Sequence, residues 1–151
     1  MSTVAQQVAG FIGKYTPEIE ATIQACRETV QGLFPRGVEL VYDNYNALVF
    51  AYAPSEQASE AVLSLAAYPR WVTLFFAQGA HLSDPAGLLE GEGVLIRGIP
   101  HITPEKLRSA PVRALIAQAM APAQAALAQA PLLKTVVKSV SAKQRARRPA
   151  A

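Results

Sequence analysis

The stretch "LSDPAGLLEGEG" at positions 82–93 gathers residue types that often do chemistry: Asp84, Glu90 and Glu92 beside Gly91 and Gly93. Three uses compete for it: a phosphate cradle, a cation loop and a turn between strands. A dinucleotide fingerprint needs GxGxxG after a strand, its last glycine opening a helix. Gly91, Gly93 and Gly98 give GxGxxxxG instead, and "VLIRGI" after them has strand character. No lysine follows in the arrangement of a P-loop. A calcium loop alternates its carboxylates more densely than this. The turn is the reading that remains.

Other reactive residues are sparse. His81 and His101 are the only histidines, and neither has a second histidine or a cysteine two to four residues away. Cys26 is the only cysteine and falls within an apolar helical stripe, where a thiol packs rather than attacks. There is no GxSxG elbow and no positioned base. A non-enzymatic role is therefore expected. The better candidate is a pocket: Tyr42, Tyr45, Tyr52, Tyr68 and Trp71 lie in the strand-forming region, with Arg97 on a neighbouring strand. If alternate residues face one way, Arg97, Tyr42, Tyr52, Tyr68 and Trp71 form a concave ligand-binding site for a small anionic or aromatic molecule.

Composition bounds the class. An apolar fraction of 51% with 17% charged residues over 151 positions suits one compact domain. No apolar run reaches the roughly 18–20 residues that span a bilayer, so no membrane partner is expected. The N-terminal stretch lacks the pattern of a secretory signal, and a lone cysteine forms no internal disulfide. These features set the expectation of a cytoplasmic protein. Net charge is +3, but the two parts of the chain differ: residues through Glu105 carry −6, and those after it +9 with no acid. Lys134, Lys138, Lys143, Arg145, Arg147 and Arg148 make the C-terminal segment a candidate nucleic-acid contact, through phosphates alone because no aromatics are interleaved.

The elements that must position these residues are legible from periodicity. Val4, Val8, Phe11, Ile12 and Tyr15 predict a helix over about 2–14. In "TPEIE", Thr16 caps, Pro17 takes the first helical position and Glu18 favours the positive end. Ile19, Ile23, Cys26, Val30 and Leu33 form the stripe of this second helix, closed by Pro35 and Gly37. "VELVYDN", "ALVFAYA", "AVLSLAAY", "WVTLFF" and "VLIRGI" predict strands. "TPEKL" repeats the start signal at Thr103, and Val112, Leu115, Ile116, Ala119, Met120 and Ala123 line the helix that follows. The fold class is α+β: an antiparallel sheet of four to five short strands, with two N-terminal helices and a C-terminal helix packed on it. Three segments are expected: an α+β domain over 1–121, an alanine-rich helical extension over 122–138 and a basic disordered tail over 139–151. The alanine-rich stretch 112–130 is also a candidate surface for a second copy in a homo-oligomer.

"AAYPRWVTLFFAQGAHLSDPAGLLEGEGVLIRGI" resembles the signature segment of the YdhG-like domains, bacterial proteins also described as iron chaperones or frataxin-like. Asp84, Pro85, Gly87, Leu88, Leu89, Glu90, Gly91, Gly93 and Arg97 match its D-P-x-G-L-L-E-G-x-G turn and following arginine. "YTPEI" and "VRALIAQA" resemble its flanking helices, so the likeness covers about residues 8–120. Val94 and Gly98 stand where the family often carries a lysine and a histidine. The resemblance implies helices covering a curved antiparallel sheet, and a role in binding a small ligand or iron. An iron role needs exposed oxygen ligands, for which Glu18, Glu20 and Glu28 on the second helix and Asp43 near the first strand are the candidates.

Overall fold

The computed structural model describes residues 2–150. The first and last residues of the outer two expected segments lie outside the described residues. Helix α1 spans Val4–Ile12 and α2 spans Pro17–Leu33. Strands β1 (Val38–Asp43), β2 (Leu48–Ala53), β3 (Leu63–Ala67) and β4 (Val72–Phe76) follow as a meander, then β5 (Arg97–Ile99). Helices α3 (Pro104–Arg108), α4 (Ala110–Met120) and α5 (Gln124–Gln129) lead to β6 (Lys134–Val140).

Local chemistry sets the helix starts. The hydroxyls of Thr3, Thr16 and Thr103 each accept an amide N–H three residues on, which satisfies a donor that the first turn leaves open. Each such cap contributes about 1 kcal/mol. Pro17 and Pro104 sit in the first turn of their helices, where a missing N–H costs nothing. Ser109 closes α3 and opens α4, and Pro111 lies in the first turn of α4, so the interruption is a restart.

The sheet has six strands in the order β5-β4-β3-β2-β1-β6. Neighbours from β1 to β5 run antiparallel, whereas β6 lies parallel to β1. The α+β class and the antiparallel run of five strands hold, and one detail differs: a sixth strand joins in parallel and makes the sheet mixed. Residues 134–138 were expected to extend a helix. Pro131 supplies no N–H to continue one, and Thr135, Val136 and Val137 are β-branched, suited to a pleated ribbon. The segment expected to be a disordered tail is also anchored. Ser141 N–H donates to the Asp43 carbonyl (2.9 Å), and Arg145 N–H to the Tyr45 carbonyl (2.8 Å).

Alternation divides the sheet into two faces. Val41, Leu48, Phe50, Tyr52, Leu63, Leu65, Leu74 and Phe76 join one core with buried side chains of all five helices. Val38, Leu40, Ala51 and Ala53 form a second, small cluster on the other face, with no helical residue in it. The helices thus cover one face only, as the sequence predicts. Tyr15 bolts α1's exit to the sheet: its hydroxyl donates to the Ala67 carbonyl (2.7 Å) and accepts Leu48 N–H (3.2 Å). In the stretch considered for self-association, Val112, Leu115, Ile116 and Leu127 point into their own core, whereas Ala114, Ala117, Ala121, Ala125 and Ala128 are exposed.

The 82–93 stretch is a scaffold turn. Both carboxylate oxygens of Asp84 are taken by backbone, Oδ1 by Leu88 N–H (3.0 Å) and Oδ2 by Leu89 N–H (2.8 Å). Leu88 and Leu89 pack on the main core. Glu90 and Gly98 then exchange two backbone hydrogen bonds of 2.8 and 2.9 Å, so the stretch returns beside β5. Gly91 makes this return possible: its φ is +136°, and an added Cβ would sit 3.2 Å from the Ile96 carbonyl oxygen.

Candidate functional site

Large and small residues alternate along the central strands. In β2, Leu48, Phe50 and Tyr52 face the helices, leaving Val49, Ala51 and Ala53 on the opposite side. In β3, Leu63 and Leu65 face the helices, leaving Ser64 and Ala66. Small side chains on one side of a twisted sheet leave a hollow. A cavity of about 390 Å³ occupies it. Its floor is Ala51, Ser64 and Ala66, and its sides include Ala61, Ala77 and Ile96. Tyr68 and Phe75 supply the aromatic walls, and no charged side chain lines it.

Phe75 owes its position to a missing side chain on β5. Gly98 is its cross-strand partner, and a Cβ built there would lie 2.8 and 2.9 Å from two atoms of the Phe75 ring. The ring therefore lies down on the glycine instead of standing up into the hollow. Beside Phe75, Val94, Leu95 and Ile96 form an exposed apolar run, with Val94 91% accessible. Isolated exposed apolar residues are ordinary, whereas these three are consecutive and form one apolar patch, whose Ile96 lines the hollow.

The residues expected to share one pocket do not converge. Tyr68 lines the hollow. Tyr42 belongs to the same face, packed with the small cluster, and its buried hydroxyl has no hydrogen-bond partner. Burial raises the Tyr42 phenol above its ordinary value. Tyr52 faces the helices, fully buried, and donates to Glu39 Oε2 at 2.6 Å. Trp71 stands at the β3–β4 turn, its ring centroid 5.6 Å from Tyr68 and 5.1 Å from His101. It braces a turn in which His101 takes the left-handed conformation (φ 55°). Arg97 pairs with Phe76 in register, and its Nη1 donates to the carbonyls of Gly93 (2.6 Å) and Ile96 (2.8 Å). Its guanidinium shapes the 93–96 loop and does not line the hollow.

Nor do the candidate metal ligands assemble. Glu18 and Glu28 are exposed on α2 and Glu20 half-buried there, whereas Asp43 is fully buried at the end of β1. Among the described residues, no group of three or more His, Cys, Asp or Glu is placed to hold a metal ion. Asp43 is occupied by cations instead: Lys14 Nζ at 2.6 Å and Arg147 Nη2 at 2.9 Å. Burial would raise its carboxyl, but the hydrogen bonds from these cations hold it below the usual carboxylate range.

The second buried acid, Glu39, lies on the helix face of β1. Arg27 of α2 grips it with two bonds of 3.0 and 2.8 Å, and Thr135 of β6 donates to Oε1 at 2.8 Å. Burial pushes this carboxyl up, and Arg27, Tyr52 and Thr135 together bring it below its ordinary value. Glu39 thus ties α2, β2 and β6 to β1. Cys26 is buried in the same core, and burial pushes its thiol up to about 12.

The basic segment divides. Lys138, Lys143, Arg145 and Arg148 are exposed, the last two also held by Tyr45 (Arg145 guanidinium 5.5 Å from the ring) and by the Lys14 carbonyl (3.2 Å from Arg148 Nε). Arg147, expected to be a nucleic-acid contact in a disordered tail, is instead buried on Asp43 and the carbonyls of Asn44 and Tyr45. Sequence reasoning missed Ala51, Ala66 and Phe75. A signal was present: alanine is depleted in strands, yet Ala51, Ala53 and Ala66 interleave there with the large residues Phe50, Tyr52 and Leu65. Among the described residues, no helix is long and apolar enough to cross a membrane. Comparison of the chain with protein-family models, curated proteins and solved structures gave no match in any of the three.

Proposed function

We propose that the protein is a YdhG-like binding module that holds a small, uncharged, apolar or aromatic molecule on the open face of its sheet. The observation that carries this reading is the alanine-floored hollow of about 390 Å³, walled by Tyr68 and Phe75 and free of charged side chains. Its size and lining match those of small-molecule sites, which are mostly apolar with a few polar groups. The polar handles are the hydroxyls of Ser64 and Tyr68. The YdhG-like attribution rests on the 84–93 motif, which here builds a turn beside an antiparallel strand. Dispersion of the acidic candidates favours an organic ligand over iron. Titration with the neutral fluorophore N-phenyl-1-naphthylamine tests the reading. Saturable binding that Ala66→Leu abolishes, in a variant that melts like the parent, is expected. Equal binding by parent and variant would remove the hollow from consideration.

A second reading is favoured by the exposed cations of β6 and the segment after it. Lys138, Lys143, Arg145 and Arg148 are held on a folded surface, which suits non-specific phosphate contact. Such binding has Kd on the order of 10⁻⁴–10⁻⁶ M and weakens steeply with salt. Replacing all four with alanine lowers the salt slope on duplex DNA by about 3–4 if each meets a phosphate. An unchanged slope rejects it.

A further inference from the structure

A second cavity lies on the other side of the segment that follows β2. It has a volume of about 690 Å³ and opens between residues 54–62, the turn after β4 and the end of α4. Its walls are apolar and small: Val62, Leu82, Ala119, Pro122 and Ala126 among them. Its polar groups are chemically one-sided. Glu60 is the charged side chain of the lining; Ser59, Gln78, His81 and Gln118 complete the polar set, and there is no lysine or arginine.

Hydrogen bonding divides these groups into fixed and available. The Gln118 side chain is spent, accepting Ser83 N–H at 2.8 Å and donating to the Ser83 carbonyl at 2.9 Å. This pair locks the turn carrying Gln78 and His81 onto α4. Glu60 receives the Ser55 hydroxyl on Oε1 (3.0 Å), which orients the carboxylate and leaves Oε2 without a protein donor. The side chains of Gln78 and His81 make no hydrogen bond to the described protein, and both are exposed to whatever enters.

A carboxylate with one oxygen free of protein donors, set among hydroxyl and amide groups over small apolar walls with no lysine or arginine, describes a site for a cation with a compact hydrocarbon body. We infer that this cleft binds a small primary amine bearing an alkyl or aryl group, its ammonium on Glu60 and its body against the alanines of α4 and α5. An anionic ligand has no counter-charge here. The inference is independent of the hollow on the sheet's open face.

Calorimetric titration of the full chain with three probes of one shape tests it: 2-phenylethylamine, 2-phenylethanol and 3-phenylpropanoate. The amine saturates the site and binds about tenfold or more tightly than the other two, the usual scale of one hydrogen bond to a charged group. Glu60→Gln keeps the shape of the carboxylate, removes its charge and reduces amine binding by a similar factor. Ala66→Leu, on the other face, leaves amine binding intact. The inference falls if the three probes bind alike or if Glu60→Gln binds the amine as the parent does. It falls equally if Ala66→Leu abolishes binding, or if the amine fails to saturate by about 10 mM. A melting curve of Glu60→Gln like that of the parent assigns its loss to the charge.

Discussion

Replacing Asp43 with asparagine should detach the C-terminal segment, and the structure sets how strongly. Asp43 is fully buried, and the Arg147 side chain beside it is 3% exposed. Asparagine fills the same space but leaves the Arg147 cation in the protein without a counter-ion. Its Nε is already buried without a partner. Removing one member of a buried ion pair costs about 3–5 kcal/mol. Lys14 adds little to this, since it is 40% exposed and its pair is screened by water. For a chain of this size, 3 kcal/mol lowers the melting temperature by about 6–12 °C. The chain has an escape: residues 141–150 can lift off and return Arg147 to water. The melting shift is then smaller, but Lys143, Arg145 and Arg147 become trypsin sites. Limited trypsin digestion followed by intact-mass measurement should show the Asp43→Asn variant trimmed at these residues well before the parent.

The partners are not equivalent, which sharpens the test. Arg147→Met leaves Asp43 with Lys14 at 2.6 Å, whereas Asp43→Asn leaves Arg147 with no carboxylate. Arg147→Met should therefore cost less, and the double variant should regain most of the lost stability. The pH dependence has a definite sign. The folded Asp43 carboxyl lies below its unfolded value of about 3.9, so its contribution is complete above that value. It is lost as pH falls through the folded pKa. The hydrogen-bonded amides of Ser141 and Arg145 should be protected from exchange at pH 6 and lose that protection only below the ordinary carboxylate range. If Asp43→Asn leaves both the melting temperature and tryptic trimming unchanged, the ion pair does not hold this segment.

Three further outcomes follow from named contacts. Gly98→Ala places a methyl 2.8 Å from the Phe75 ring, so the ring must swing into the hollow; fluorophore binding should drop while the far-ultraviolet spectrum keeps its shape. Cys26, with its thiol pushed up to about 12 by burial, should resist iodoacetamide at pH 8 in the native protein and react readily in urea. Asp84→Ala removes the acceptor of two backbone amides and should cost about 1–2 kcal/mol in urea denaturation; no loss would mean the turn holds without its cap.

What was legible in the chain was what depends on neighbours in sequence. Thr16-Pro17-Glu18 and Thr103-Pro104-Glu105 announce helix starts because capping is settled within four residues. The two hairpins follow equally from short turns, closed by Asn44 N–H on Ala47 and Tyr68 N–H on Trp71. β6 was not legible as a partner of β1. Its β-branched run could have been read as a strand, but the alanine-rich residues before it favour helix. Nothing local says that Thr135 must reach Glu39, 96 residues away in sequence.

The same distinction explains why the basic segment was misread. Cations without nearby acids in sequence look solvated, yet Arg147 finds its acid 104 residues earlier. A charge run therefore predicts exposure only when no buried opposite charge elsewhere needs it. Here two carboxylates, Glu39 and Asp43, alternate with apolar residues on one face of β1, and an acid at an inward strand position costs several kcal/mol unless a cation meets it. That requirement was present in "VELVYD" from the start. It called for an arginine on α2 and cations against the end of β1, and the parallel course of β6 along β1 brings the second of these, Arg147, to the right end of the strand. The sixth strand and the anchored segment after it are thus two consequences of one electrostatic need.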